Sequence, residues 1–409
     1  MIRLFINGLA ASAGGGLTYL RNVIPHLSRR VDAETTVLLN SAIRREFGEL
    51  PNISFVEALE SYRAPRRFFC EQTTLPKLIR RSGAQVLISA GNFALWNSPV
   101  PQILLSRNSL YTSSDFLRDV RTRGDYAIWV DTLVKSWLAR RSIGCADITV
   151  APSEAFAQEL SQWSGRKVLA VHHGFDLNAF TSDAAPLPRA AQCQLEQGKD
   201  ALRLLFVSHY NYYRNFETLL RAMPILSRRL KGTKVKLFLT CQLNSGENPG
   251  TYRAESAASL VSSLCSHGSV VELGAVPYRS LHHLYRACHI YVTPAYSESF
   301  AHPLVEAMSS GLPIVASDLP VHREICRDAA IYFPRFSSEA LAGNVLQIQE
   351  SPELAKKLSV NGLNRVQDFS WHKHVERLIA LSERLVNAPP KEGQVRKAPG
   401  LRTSNGNQR

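Results

Sequence analysis

Apolar runs of five to eight residues recur along the chain, each bounded by turn-forming or charged residues. IRLFING (2–8), TTVLL (35–39), QVLISA (85–90), PQILLS (101–106), ADITVAP (146–152) and KVLAVHHG (167–174) have the length and composition of buried strands. Stretches with helical spacing lie between them. In residues 17–30, after the glycine-rich ASAGGG loop, Leu17, Leu20, Ile24 and Leu27 form one apolar stripe. The rhythm stops at 181–200, which is rich in Pro, Ala and polar residues and reads as a linker. It resumes with LRLLFVS (202–208), KVKLFLT (234–240), SVVELGAV (269–276), HIYVTP (289–294), LPIVAS (312–317) and AAIYFP (329–334). Phe216, Leu219, Leu220, Met223, Leu226 and Leu230 stripe an intervening helix, which Pro224 is expected to interrupt or kink. Two further helices are expected around 338–362 and 371–387, followed by a tail over 389–409 without apolar content and expected to be disordered.

Strands separated by helices predict an α/β architecture with parallel sheets. The two series predict two Rossmann-like doubly wound domains, residues 1–180 and 201–370, facing a cleft. Ligands of such sheets sit beyond the carboxyl ends of the strands.

Length agrees, since 409 residues exceed one ordinary core. Charged residues make up 20% and apolar residues 45%, a globular profile. No apolar run is long enough for a membrane span. MIRLFINGLA lacks a secretory layout and reads as a first strand. Seven scattered cysteines without a CxxC pair argue for reduced thiols and a cytoplasmic chain. The formal net charge of +14 leaves nucleic acid, anionic membranes and phosphorylated substrates open as partners. Basic and aromatic residues mix over 62–81 and 117–141, where Ile128, Trp129, Leu133 and Trp137 recur at near-helical spacing. Two readings fit: a peripheral contact with an anionic membrane, or a helix packed by its apolar stripe with solvated arginines opposite. No nucleic-acid motif is present, so that partner is not expected.

The chemistry concentrates in YSESFAHPLVEAMSSGLPIVAS (296–317). Glu298 falls in the loop after a buried strand, and Glu306 falls near the start of the next helix, with Pro303 in its first turn and Gly311 as its stop. Unpaired backbone N–H groups there favour a phosphate. The small side chains of Ser299 and Ala301 admit a ligand close to the backbone, and a carboxylate accepts hydrogen bonds from a vicinal diol. Phosphate, ribose and a second hydroxylated group together describe a nucleotide sugar. Taken singly, the same residues also fit a solvated loop glutamate and a helix-start glutamate. The pair His172 and His173 suggests a metal, but adjacent side chains diverge and no carboxylate or thiolate partner is evident from the sequence, so no metal site is expected.

SESFAHPLVEAMSSGLPIVAS resembles the E-x7-E segment of retaining GT-B glycosyltransferases of the family 4 type (glycosyl transferases group 1). Glu298, Phe300, Glu306, Ala307, Met308, Gly311 and Pro313 match that pattern, while Ser299 and Ala301 replace two glycines and His302 takes a usually apolar place. ASAGGGLTYLRNVIPHL, ADITVAPSEAFAQEL, VHHGFDLNAF, LLFVSHYNYYRNFETLLRAM, VVELGAVPYRSLHHLYRACHIYVTPAYSES and FSWHKHVERL are similar to further segments of the family. The last resembles a terminal helix that crosses back to complete the first domain.

The resemblance implies metal-independent transfer of a sugar from a nucleotide-diphosphate donor to a hydroxyl, with the anomeric configuration kept. Its acceptor would be a glycan or lipid-linked intermediate of cell-surface polysaccharide such as lipopolysaccharide, met at the inner face of a membrane. It implies that Glu306 takes the ribose hydroxyls and Glu298 the donor sugar. Ser299, Phe300, Ala301 and His302 would line the donor, and Gly15 and Gly16 would approach its diphosphate. The family's two diphosphate cations fall on His209 and Arg214, of which His209 is mostly neutral at pH 7. Where many members carry a histidine beside the reacting sugar, this chain has Arg107 and Asn108. Asn108 offers a hydrogen bond to a sugar hydroxyl but no base. A catalytically silent nucleotide-sugar binder and a GT-B sugar epimerase are the alternative readings.

Overall fold

The computed structural model describes residues 1–11, 14–58, 64–182, 184–244, 252–266 and 268–389, with backbone alone for Gly14, Ala64 and Pro65. The tail expected to be disordered lies outside these residues from position 390 onward, as do positions 62 and 63 of the first basic stretch.

Among the described residues, thirteen strands form two sheets in which every pairing is parallel. The first contains β1 (Ile2–Asn7), β2 (Ala33–Asn40), β3 (Ile53–Ala58), β4 (Val86–Ser89), β5 (Gln102–Leu105), β6 (Ile148–Ala151) and β7 (Val168–Ala170), in the order β3-β2-β1-β4-β5-β6-β7. The second contains β8 (Ala201–Phe206), β9 (Lys234–Leu239), β10 (Val270–Glu272), β11 (Ile290–Thr293), β12 (Ile314–Ser317) and β13 (Ala330–Phe333), in the order β10-β9-β8-β11-β12-β13. Both are doubly wound, with reversal points between β1 and β4 and between β8 and β11. β4, β5, β11 and β12 are buried along their whole length, which is why each reads as an unbroken apolar run.

The structure departs from the pattern reading in five places. The edge strand β3 is only partly buried, with Ser54 and Glu57 exposed, so no fully apolar run announced it. The glycines at 14–16 begin the first helix, Gly14–Ser28, instead of forming a loop before it. Helix Phe216–Arg229 runs through Pro224. The 338–362 helix is two, Ser338–Glu350 and Pro352–Arg365, because Pro352 favours a first turn and Ser351 caps it. Within 181–200 a short helix, Arg189–Glu196, buries Ala191 and Leu195.

Helix Trp371–Asn387 returns to the first sheet. Trp371, Val375, Leu378, Ile379 and Leu381 share one buried cluster with Ile6, Tyr19, Leu20, Val23 and Ile88. Ser370 caps its first turn. Gly174, after β7, lies so close that a Cβ there would overlap the backbone of Ser370 and Trp371. Backbone cannot rotate away as a side chain can. Gly174→Ala is therefore expected to destabilise the chain by about 1–3 kcal/mol, measured by urea denaturation, and an unchanged midpoint would refute this close approach.

Candidate active site

The reversal point of the second sheet places the loop after β8 beside the loop after β11. Asn215 Nδ2 donates to the Pro294 carbonyl at 3.0 Å and Tyr296 N–H donates to the Tyr213 carbonyl at 2.9 Å. Arg214, at the end of the 3-10 turn Tyr212–Arg214, thereby reaches the acidic loop and forms an ion pair with Glu298. Its guanidinium also lies 4.8 Å from the Tyr213 ring centroid. His209 sits beside them, and desolvation followed by the Arg214 charge lowers its pKa. It is therefore a neutral imidazole at pH 7.

Helix His302–Ser309 follows directly. Ala301 precedes its first turn at φ 64° and ψ 65°, a left-handed conformation that costs an alanine about 1–2 kcal/mol. That conformation explains why glycine suits this place in the pattern. Phe300 is buried and packs its ring edge on Phe369, with centroids 5.5 Å apart. Glu306 is 5% exposed, and Tyr285 Oη donates to its Oε2 at 2.9 Å. Burial pushes the Glu306 carboxyl up to about 7, against a smaller lowering by that hydrogen bond. The two glutamates of the opening pattern thus differ in state: Glu298 is held by a cation, while Glu306 is close to half-protonated at neutral pH.

The first sheet presents its own carboxyl ends to the same place. Gly15 has open space where a side chain would begin, and a Cβ on Gly16 would lie 3.9 Å from Arg107 Nη2. Asn108 caps the turn Ser109–Tyr111 by accepting from Leu110 N–H at 3.0 Å, so its amide oxygen is engaged locally. The Arg107 guanidinium lies 4.5 Å from the Tyr19 ring centroid and donates to the Ala90 carbonyl.

Several contacts join the halves. Ser297 Oγ lies 2.8 Å from Ser109 Oγ, Ser153 Oγ donates to the Ser299 carbonyl at 2.8 Å, His173 Nδ1 lies 3.2 Å from His302 Nε2, and Tyr296 Oη donates to Asp119 Oδ2 at 2.7 Å. Glu324 adds another by accepting from the N–H groups of Glu154 and Ala155 at 2.8 and 2.7 Å, which satisfies the start of helix Glu154–Ser164. Its Oε1 also lies 2.6 Å from His172 Nε2, so His172 does have a carboxylate partner, distant in sequence. His172 and His173 diverge, the one toward Glu324 and the other toward His302. Burial first, and then nearby Arg107, pushes His302 down to about 4; His374 is likewise about 4, and His173 is well below its ordinary value. The site is therefore lined by neutral imidazoles.

Sequence reasoning placed Glu298, Ser299, Phe300, Ala301, His302 and Glu306 on one loop and helix, and His209 and Arg214 beside them. It missed Tyr285, Ser109, Ser153 and Tyr19, whose roles arise from pairings 21 to 355 residues apart in sequence. An open groove of about 940 Å³ lies elsewhere, lined by Lys199, His282, Arg286 and His289 at the amino ends of the second sheet's strands. Doubly wound sheets bind ligands at the other end, and neither Glu298 nor Glu306 lines the groove.

Comparison with known proteins fits this geometry. The architecture is that of GT-B glycosyltransferases. Sucrose-phosphate synthase from Thermosynechococcus elongatus superposes with a TM-score of 0.73 at 17% identity, covering 94% of this chain and 99% of that one. Anabaena HepE in complex with UDP-glucose superposes at 0.69 with 16% identity, covering 94% and 100%. Residues 192–365 match the family described as glycosyl transferases group 1. The chain is 32% identical over 104 residues to the O-antigen chain mannosyltransferase B of Escherichia coli, covering 25% of this chain and 27% of that protein. It is 26% identical over 257 residues to a D-inositol 3-phosphate glycosyltransferase of Kineococcus radiotolerans, covering 60% and 58%. The chain thus spans less than two thirds of these relatives' own length.

Glu306 also gives the site a pH signature. The folded chain holds this proton up to about pH 7, whereas the unfolded chain releases it near 4.5. The stabilisation is fully present below 4.5 and is lost as pH rises through 7, a swing of about 3 kcal/mol. Chemical denaturation should show the stability of the native chain falling by this amount relative to Glu306→Gln between those pH values. Parallel profiles would show that Glu306 does not titrate in this range.

Proposed function

We propose that the chain is a retaining glycosyltransferase of the family 4 type. It moves a sugar from a nucleotide-diphosphate donor to a hydroxyl of a glycan or lipid-linked acceptor in cell-surface polysaccharide synthesis. The observation that carries this reading is the convergence of Glu298, Glu306 and Arg214 on one reversal point, opposite the carboxyl ends of a second sheet. Glu306 binds the ribose diol, for which a carboxyl near half-protonation both donates and accepts. Arg214 and the first turn of helix His302–Ser309 meet the diphosphate, and Glu298, released from Arg214, takes the donor sugar. Ser299, Phe300, Ala301 and His302 wall the donor, Gly15 and Gly16 approach from the other side, and Asn108 meets a sugar hydroxyl. As the acceptor oxygen bonds the anomeric carbon and the glycosyl–phosphate bond breaks, the leaving phosphate takes the acceptor proton on the same face. Side chains and helix N-termini, without a metal, answer the leaving charge.

A thermal-shift panel of UDP, GDP and ADP sugars is expected to show one base raising the melting temperature. Glu306→Ala should abolish that shift at the same ligand concentration. An unchanged donor affinity in the variant would refute the ribose assignment.

A surface feature supports action at a membrane. In helix Tyr126–Cys145 the inward face is Thr132, Ser136, Ala139, Ser142 and Ile143. The outward face carries Tyr126, Val130, Leu133, Val134 and Trp137, with Trp137 61% exposed. Ile128 and Trp129 turn partly inward, so they do not share a face with Trp137 as the spacing had suggested. Trp96 joins this face to helix Ala64–Ser82 through ring contacts with Trp137 at 6.4 Å and Phe68 at 5.5 Å, and Arg141 lies 5.3 Å above Trp96. Among the described residues no helix is long and apolar enough to cross a membrane. An apolar face turned outward among arginines suits a bilayer interface. The chain is expected to float with vesicles containing phosphatidylglycerol, and the double variant Val134→Glu, Trp137→Glu should stay in solution while retaining donor binding. Co-flotation of the variant would remove this surface from the reading.

A further inference from the structure

Arg107 stands two residues beyond β5, at the first sheet's side of the cleft. Its backbone N–H donates to Asn92 Oδ1 at 2.7 Å, which anchors the loop. Of its guanidinium, Nη2 is used on the Ala90 carbonyl, whereas Nε and Nη1 are sealed from solvent without a hydrogen-bond partner among the described residues. Tyr19 stacks on it, and the Tyr19 hydroxyl donates to His374 Nε2 at 3.0 Å, since His374 Nδ1 donates to the His172 carbonyl at 2.8 Å. The aromatic ring is thus fixed from behind by the returning C-terminal helix.

A buried cation with open N–H groups and no counterion is costly. A ring quadrupole offsets only part of that cost. The surrounding titratable groups do not neutralise it: His173, His302 and His374 are neutral imidazoles, and the Tyr19 phenol is held protonated by burial. Among the described residues no carboxylate forms an ion pair with Arg107, whereas Arg214 across the cleft is already paired with Glu298 and His209 carries no charge. Gly16 passes close to the guanidinium, where an added Cβ would press on Ala11 at 3.2 Å and lie 3.9 Å from Arg107 Nη2.

We propose that Arg107 is the first sheet's phosphate-binding residue, gripping the diphosphate of the nucleotide-sugar donor opposite the start of helix His302–Ser309. This rests on the donor reading above and extends it, because the diphosphate then touches both sheets and its binding drives their closure. Arginine suits the task, since its planar fork meets phosphate oxygens in pairs.

Calorimetry with inorganic pyrophosphate, UDP and uridine tests it on the full chain. Arg107→Gln is expected to weaken pyrophosphate and UDP at least about tenfold while leaving uridine unchanged. Arg107→Lys should fall between, keeping the charge without the fork. The melting temperature of unliganded Arg107→Gln should not drop, because an uncompensated buried charge has been removed. Pyrophosphate and UDP affinities within twofold of the native chain in either variant would overturn the proposal. If Glu306→Ala loses UDP while Arg107→Gln keeps it, the donor site stands and Arg107 has no part in it. A native chain that binds neither pyrophosphate nor any of UDP, GDP and ADP would overturn both readings. Loss of affinity for a phosphorylated or carboxylated acceptor alone would reassign Arg107 to the acceptor and likewise overturn the diphosphate contact.

Discussion

The segment from Pro294 to His302 is gripped from two directions, and the placement of the site depends on that grip. From its own sheet it is held by Asn215, by the backbone of Tyr213 and by Arg214. From the opposite sheet it is held by Ser109, Ser153 and His173. Each contact satisfies a polar group that burial would otherwise leave costly. The loop therefore has little freedom to drift, even with Ala301 in a conformation its side chain disfavours. Helix His302–Ser309 inherits its direction from this loop and carries Glu306 into an apolar surround.

Electrostatically the acidic-loop side of the site is balanced. Its histidines are neutral, Arg214 is matched by Glu298, and Glu306 is near half-protonated. In a low-dielectric setting this avoids uncompensated charge there. The Arg214–Glu298 pair also sets a threshold for ligand entry. An anion that draws Arg214 away must supply at least as good a partner, and Glu298 is then free for hydroxyl groups. Among the described residues Arg107 has no such carboxylate partner. The two sides of the cleft are thus unequal, one side self-satisfied and the other awaiting charge.

The outer surface follows a different logic from the core. Helix Tyr126–Cys145 buries mostly small and polar side chains, with Ile143, and leaves Tyr126, Val130, Leu133, Val134 and Trp137 exposed. In water that arrangement is unfavourable, and the proposed bilayer contact would cover it.

Much of the architecture is legible in the chain because parallel strands buried on both faces must be nearly all apolar, and β1, β8, β11 and β12 are. The acidic segment was equally legible, since Pro303 and Gly311 bracket its helix and the spacing of Glu298 and Glu306 lies within one continuous stretch. The partly buried edge strand β3 and the glycine-led first turn at Gly14 were not, because local pattern there is weak and neighbouring elements decide. Tertiary structure alone determined that Glu298 meets Arg214, that His172 meets Glu324 across 152 residues, and that Tyr19 lies between His374 and Arg107. Such pairings depend on how two sheets face each other. Periodicity reports only which side of an element is buried, and is silent about what lies against it.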